Sequence, residues 1–459
     1  MSTDRFGMTT ATADESAIDA LEQATYAIAA HKPGGAVALD AALDAAPDCV
    51  AAQALLGFAN VMLARRETTA LAKRGLSRAR ASLEQAGGSC AEAAMVDALA
   101  LAVNGGLSSA ADRLDDYLIG DPGAFVIAKL SHSLRFMTGD ALGMMNSVDR
   151  TLAVLPESHP GYGFALGCRA FAMEELGAYD AAEKIGRRAV DIEPEDSWAI
   201  HAVGHVHEMT GRAADGLAWI ESRRATWKNC NNFALHMSWH SALFHLELGR
   251  LSQALDIFDN EVWPRASDDF RDMSNAVALL VRVEQFGVDV CARWRGPAAI
   301  AAARAGDTTL TFAALHNLAA LAASGNLREA RELATAIEAP GSKDDDQEEV
   351  RACAGRPLAR AILGLAERNG GAVDFAAILR ELPRIGGSNA QRDVFVRLLA
   401  RLASERRDIT ALEAILSTRR ILKRDDSFVA LLRARFHAAG TRGQQTFAAN
   451  AEPQFKLIA

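Results

Sequence analysis

The sequence predicts an all-α fold, a superhelix of stacked antiparallel helix pairs with a C-terminal helical segment packed against it. Three observations predict it. Apolar residues recur at three and four positions through segments dominated by Ala, Leu, Glu and Arg, and β-branched alternation is nearly absent. These helical pieces, about 12 to 16 residues long, are parted by short Gly or Pro breaks, as stacked helix pairs require. Small residues also recur at a fixed interval through the middle of the chain.

From the N-terminus, the breaks fall at Lys32-Pro33-Gly34-Gly35, Gly87-Gly88, Asp121-Pro122-Gly123, Pro160-Gly161 and Pro194-Glu195-Asp196. Residues 1–88 read as N-terminal helical pairs. Residues 89–338 read as the repeat body, clearest over about 125 to 260. There Ala170, Gly177 and Ala182 recur 34 positions later as Gly204, Gly211 and Gly216. That is the tetratricopeptide period, and Ala189 and Pro194 fall where such a repeat places its second-helix alanine and terminal proline. Gly139 and Gly249 lie 38 positions from their counterparts, so the period is expected to alternate between 34 and 38. Arg295-Gly296-Pro297 and the acidic stretch Pro340 to Asp346 are expected to interrupt the repeats. The second of these separates off a C-terminal segment, residues 339–438, before a polar tail, 439–459.

Composition narrows the function. Of 459 residues half are hydrophobic and 6% aromatic, enough for a large core and incompatible with a disordered chain. The net charge of -9, with no Lys/Arg block, argues for no nucleic acid and no anionic membrane as partner. No apolar run reaches the roughly 18 to 20 residues of a membrane span. Met1 to Arg5 has neither the basic nor the apolar part of a signal peptide, so a cytoplasmic location is expected. The six cysteines form no C-x-x-C and read as reduced thiols.

Chemistry concentrates in one place. Six of the eleven histidines, His201, His205, His207, His236, His240 and His245, fall within 45 residues. Four positions along a helix leave side chains about 40° apart, so His201 and His205 share a face, as do His236 and His240. His207 and His245 point elsewhere. In the repeat register His201, His205 and Glu208 take first-helix positions that line the concave groove. The expectation is a pocket for a small organic molecule, with His205 and His240 transferring protons and His201, His236 and Glu208 orienting them. Two alternatives stand beside it: a scaffold whose groove holds a partner peptide, and a metal-dependent enzyme built on the paired histidines. No thiolate ligand set and no H-E-x-x-H is present, and the expectation is that no metal and no cofactor is held. Self-association is left open. Glu174-Glu175 reads as a solvated helix face, with a carboxylate pair as the alternative, and Trp198, Trp219, Trp227 and Trp239 read as core, with a pocket wall as the alternative and Trp239 the binding candidate.

Three stretches carry a resemblance: Asp196 to Met209 with its W-x-x-H-x-x-x-H core, Trp239-His240-Ser241-Ala242-Leu243, and Gly386-Gly387-Ser388-Asn389-Ala390-Gln391-Arg392-Asp393-Val394-Phe395. With them the chain, from about Glu92 to Arg435, resembles the tetratricopeptide repeat protein 38 family. The resemblance implies site roles for His201, His205, Glu208, His236 and His240, and adds His132, Glu175, His316, Gly355 and Pro357. The chain departs from the family at Met95, Ser133, Met237, Asn275 and Ala314, where the family carries His, Asp, Asn, Asp and Asp. The departures imply either a lost activity or a more apolar ligand. The string at 386–395 is expected to lid or floor the pocket, with Asn389, Gln391, Arg392 and Asp393 as binding residues. Arg392 would there offer a planar fork to a ligand carboxylate or phosphate, or clamp Asp393 or Glu208.

Overall fold

A computed structural model describes residues 1–342, 345–369, 371–424 and 426–442, with only the backbone over 435–442. Lys343 and Asp344 of the acidic stretch, and the polar tail beyond residue 442, lie outside the described residues. The chain is a superhelix of helix pairs, as the periodicity predicts. Glu15–Ala29 pairs with Gly35–Ala45, Val50–Met62 with Arg66–Ala86, Cys90–Ala102 with Leu107–Gly120, and Phe125–Thr138 with Ala141–Leu152. Tyr162–Glu175 and Tyr179–Ile192 follow, then Ser197–Met209 with Ala213–Glu221 and Phe233–Glu247 with Leu251–Ile257. Phe270–Gln285, Cys291–Ala303, Thr311–Ala323 and Leu327–Glu338 complete the body. Among the described residues the only strands are Ser2–Thr3 and Thr9–Thr10, an antiparallel pair that the helical pattern does not predict.

The repeat is more regular than the sequence suggests. Gly139, Gly177, Gly211, Gly249, Gly287 and Gly325 each end a first helix with φ between 72° and 82°. Only one interval, Gly177 to Gly211, is 34 residues, and the others are 38, so the expected alternation is corrected. Four extra residues are about one more helical turn per repeat. Glycine takes the left-handed turn that closes the helix without the penalty a side chain would bring.

Arg295-Gly296-Pro297 does not interrupt the repeats, because Cys291–Ala303 runs through it as one helix. Trp294, Pro297, Ala298 and Ala301 are buried together, and that packing outweighs the one backbone hydrogen bond that proline removes. One continuous apolar core runs from Leu21 through Leu279 to Phe395 and Leu432, joining the N-terminal pairs, the body and the C-terminal segment.

The C-terminal segment folds back onto the body through the string at 386–395. Ser388 and Gln391 form a capping box: the Gln391 N–H donates to Ser388 Oγ (3.1 Å) and the Ser388 N–H to Gln391 Oε1 (3.0 Å). This starts the helix Asn389–Glu405. Ser388→Ala is expected to cost about 0.5 to 2 kcal/mol, read as a shift in denaturation midpoint at unchanged slope. From the same segment Lys423 reaches back to Glu208, its Nζ 2.6 Å from Oε1.

Candidate functional site

Two consecutive first helices carry the histidines. Asp196 starts Ser197–Met209 by accepting from the N–H groups of Trp198 (3.0 Å) and Ala199 (3.1 Å), which fixes where the helical spacing begins. His201 and His205 then project from one face toward His236 and His240 of Phe233–Glu247. The four rings stand 4.2 to 5.0 Å apart, and all four side chains are buried. His201 Nε2 lies 2.9 Å from His236 Nε2, and His240 Nε2 lies 3.2 Å from the same atom. One nitrogen from each ring can be chosen so that all four fall within 4.8 Å of one another.

The far sides of two rings are tied down. His236 Nδ1 donates to Asn275 Oδ1 (2.8 Å) and His240 Nδ1 to Glu208 Oε2 (3.2 Å). Burial lowers the pKa of all four histidines, His240 to about 4, and so holds the imidazoles neutral. Burial alone would push Glu208 up, but Lys423 and then His240 hold it well below the usual carboxylate range.

A second group adjoins the first. Glu174, Glu175 and His205 bring one ligand atom each within 4.8 Å of one another. Glu174-Glu175 is therefore no solvated face: both carboxyls are buried. Burial pushes Glu174 up to about 8 and, with Glu174 beside it, Glu175 up to about 7. Glu174 Oε2 is 3.3 Å from His205 Nδ1, out of line for a hydrogen bond. Among the described residues no N–H donor reaches Glu174 and neither ring nitrogen of His205 has a partner.

The remaining expected site residues divide. Trp239 stacks on His236 with centroids 5.2 Å apart, and Trp198 lies 4.9 Å from His201, so both wall the cluster. Trp219 and Trp227 are core, their indole N–H groups donating to Ile200 and Ile220 carbonyls. His132 is buried against Phe171 and Trp198, rings that also touch His201, and is not one of the four grouped imidazoles. His316 Nδ1 donates to Phe312 O (2.8 Å), and its ring packs on Phe395, outside the four-imidazole group. His207 and His245 lie outside it, as their spacing predicts.

The polar side chains of the string at 386–395 bond to groups within the protein. Gln391 serves the capping box. The Arg392 fork is filled by Glu175 Oε2 (2.9 Å), Asn389 Oδ1 (2.7 Å) and the carbonyls of Gly386 and Gly387, so it clamps neither Asp393 nor Glu208. The Asn389 N–H donates to Glu175 Oε1 (2.8 Å). Asp393 sits among Arg282, Arg397 and Arg419, away from any imidazole. Sequence reasoning missed Glu174, Lys423 and the part played by Asn275. Among the departures, Met95, Met237 and Ala314 are buried apolar side chains, and Ser133 bonds its own helix at Lys129 O (2.9 Å).

No family model matches the chain. A solved structure of the human IFIT1 dimer with PPP-AAAA is 12% identical, with a TM-score of 0.40, covering 82% of this chain and 87% of that one. That structure holds IFIT1 with PPP-AAAA, and nucleic acid is not kept among the excluded partners of this chain. No helix is long and apolar enough to cross a membrane among the described residues. On its own helix pairs and glycine-ended repeats, the architecture is that of the tetratricopeptide-like helical-repeat class.

Proposed function

We propose that the buried His/Glu cluster is the functional centre of this protein, that it binds and transforms a small organic molecule, and that the chain is a diverged relative of the tetratricopeptide repeat protein 38 family. One observation carries the reading. His205 and Glu174 are fully buried, yet the carboxyl receives no N–H donor and the ring has no partner among the described residues. Apart from the side-chain hydrogen bond that Glu174 shares with Glu175, such a pair costs the fold about 1 to 3 kcal/mol for each unsatisfied buried group. As a reaction centre the pair makes sense: burial keeps a proton on Glu174 and keeps His205 free to accept one.

A cavity opens at the start of the histidine helix Phe233–Glu247, although none of the four imidazoles lines it. Its volume is about 520 Å³, a size suited to a small molecule, and it is lined by Asn232 and Asp272 at the start of the Phe233–Glu247 and Phe270–Gln285 helices. Asn232 Nδ2 donates to Asp272 Oδ1 (3.3 Å), and one helical turn inward the His236–Asn275 pair repeats that arrangement. Of the four imidazoles His236 is the least buried, at 8%. In this reading His205 and Glu174 pass the proton, and His236 meets the ligand first.

A second reading, a scaffold for a partner peptide, rests on a different feature. A cleft of about 1360 Å³ opens among Val281, Leu365, Leu398, Arg401 and Phe428, larger than a small molecule needs.

The test extracts the purified protein and identifies what it retains by mass spectrometry. The expected result is a bound organic molecule in the wild type that is lost or left unconverted in His205→Gln and Glu174→Gln, with their melting still cooperative. Retention and conversion unchanged in both folded variants would overturn the reading.

A further inference from the structure

We propose that His201, His236 and His240 hold one divalent transition-metal ion of the zinc or iron class on their Nε2 atoms, with the fourth position facing His205. The inference takes only the location of the centre from the proposed function, and it sets aside the expectation that no metal is held.

A count of protons carries it. A neutral imidazole has one N–H and one lone pair. His236 spends its N–H on Asn275 and His240 spends its own on Glu208, so both Nε2 atoms present lone pairs. Those two atoms are 3.2 Å apart, and His201 Nε2 is 2.9 Å from the first of them. Only the His201 proton remains for two contacts. At least one contact then sets lone pair against lone pair between buried side chains. A cation at the centre of the three nitrogens removes the repulsion, with the His201 proton then carried on Nδ1, which is buried without an acceptor among the described residues.

The spacing and the surroundings fit. Metal–nitrogen bonds of about 2.0 to 2.1 Å in a tetrahedron put the nitrogens about 3.3 Å apart, near the distances found. Ligating histidines characteristically donate their other N–H to a carboxylate or carbonyl oxygen, which fixes the tautomer and raises ligand basicity. Asn275 Oδ1 does this for His236, and Glu208, anchored by Lys423, does it for His240. Three neutral nitrogen donors suit zinc, iron, cobalt or copper rather than magnesium or calcium. Three protein ligands and an open position are the pattern of catalytic rather than structural zinc. His205, the fourth member of the group, has no partner on either ring nitrogen and brings one of them within 4.8 Å of the other three ligand atoms, beside the fourth position.

The experiment loads chelator-stripped protein, prepared without a metal-affinity step, with cobalt(II). The expected result is the visible absorption of four-coordinate cobalt, saturating at about one equivalent. It is lost in His236→Gln and His240→Gln and kept in His132→Gln and His316→Gln, which remove buried imidazoles outside the group. Asn275→Asp supplies a carboxylate to His236 and is expected to tighten cobalt binding about 10-fold or more, a gain that misfolding cannot imitate. No cobalt spectrum in folded wild-type protein, or the same spectrum in all four glutamine variants, would overturn the proposal. Cobalt bound as described, with His205→Gln still converting the retained molecule, would instead overturn the proposed proton transfer and leave the metal site standing.

Discussion

Asp393→Asn is expected to destabilise the protein by about 3 to 5 kcal/mol, the largest effect of any single polar substitution in the C-terminal segment. Asp393 is 4% exposed and accepts from Arg397 Nε (2.8 Å) and Arg419 Nε (2.6 Å), with Arg282 Nη2 3.5 Å away. Asp426 shares Arg397 (2.8 Å) and Arg419 (2.6 Å). Neutralising Asp393 leaves three buried guanidinium groups facing one carboxylate. The same network gives a pH signature. Burial by itself raises Asp393, but Arg419, Arg397 and Lys423 hold it well below the usual range. A carboxyl depressed in the fold adds stability that is complete above its unfolded value, about 3.9, and fades as pH falls below it. Wild type should therefore lose stability steeply below about pH 4 while the variant loses less, so the gap between them narrows on acidification. Chemical denaturation of both proteins at neutral pH and near pH 3 checks this.

Gly386→Ala is expected to cost about 2 to 5 kcal/mol and to loosen the C-terminal segment. Gly386 has φ 85° and ψ -170°, a region costly to any side chain. A Cβ there would also collide with the Met137 carbonyl, whose carbon would be 2.8 Å away and whose backbone cannot give. Its neighbour Gly387 donates its N–H to Phe136 O (3.3 Å), so the strain falls where the segment docks. Gly371→Ala is the control, since a Cβ there meets nothing within 4 Å. Thermal denaturation should separate the two variants, and hydrogen exchange over residues 383–424 should rise in Gly386→Ala alone.

The helix pairs were legible because their signal is local. Apolar spacing and a glycine at each first-helix end are written within single repeats. The four imidazoles were legible for the same reason, since i, i+4 pairs need only a helix and the next helix beside it. What the sequence hid is contact over distance. Glu174 could not be told from a solvated carboxylate, because its burial depends on the segment that docks more than two hundred positions later. Asn275 looked like a lost aspartate, and only its place beneath His236 shows it as an acceptor. The string at 386–395 was noticed for its polarity, but polar side chains inside an apolar frame serve a buried clamp as well as a ligand. Arg392 on Glu175 and Asp393 among arginines are the clamp.

The salt bridge from Lys423 to Glu208 has a consequence in time. During synthesis both histidine helices are complete at Glu247, 423 − 247 = 176 residues before Lys423 is made. Until it arrives, Glu208 must either stay ionised without its lysine or take a proton, and His240 lacks a settled acceptor. The helical repeats can therefore accumulate on the ribosome one by one, since each rests mainly on its neighbour. The interior centre cannot mature with them. It is finished only when the segment carrying Lys423 docks across the stack, so a late-made segment settles the charge on an early-made helix.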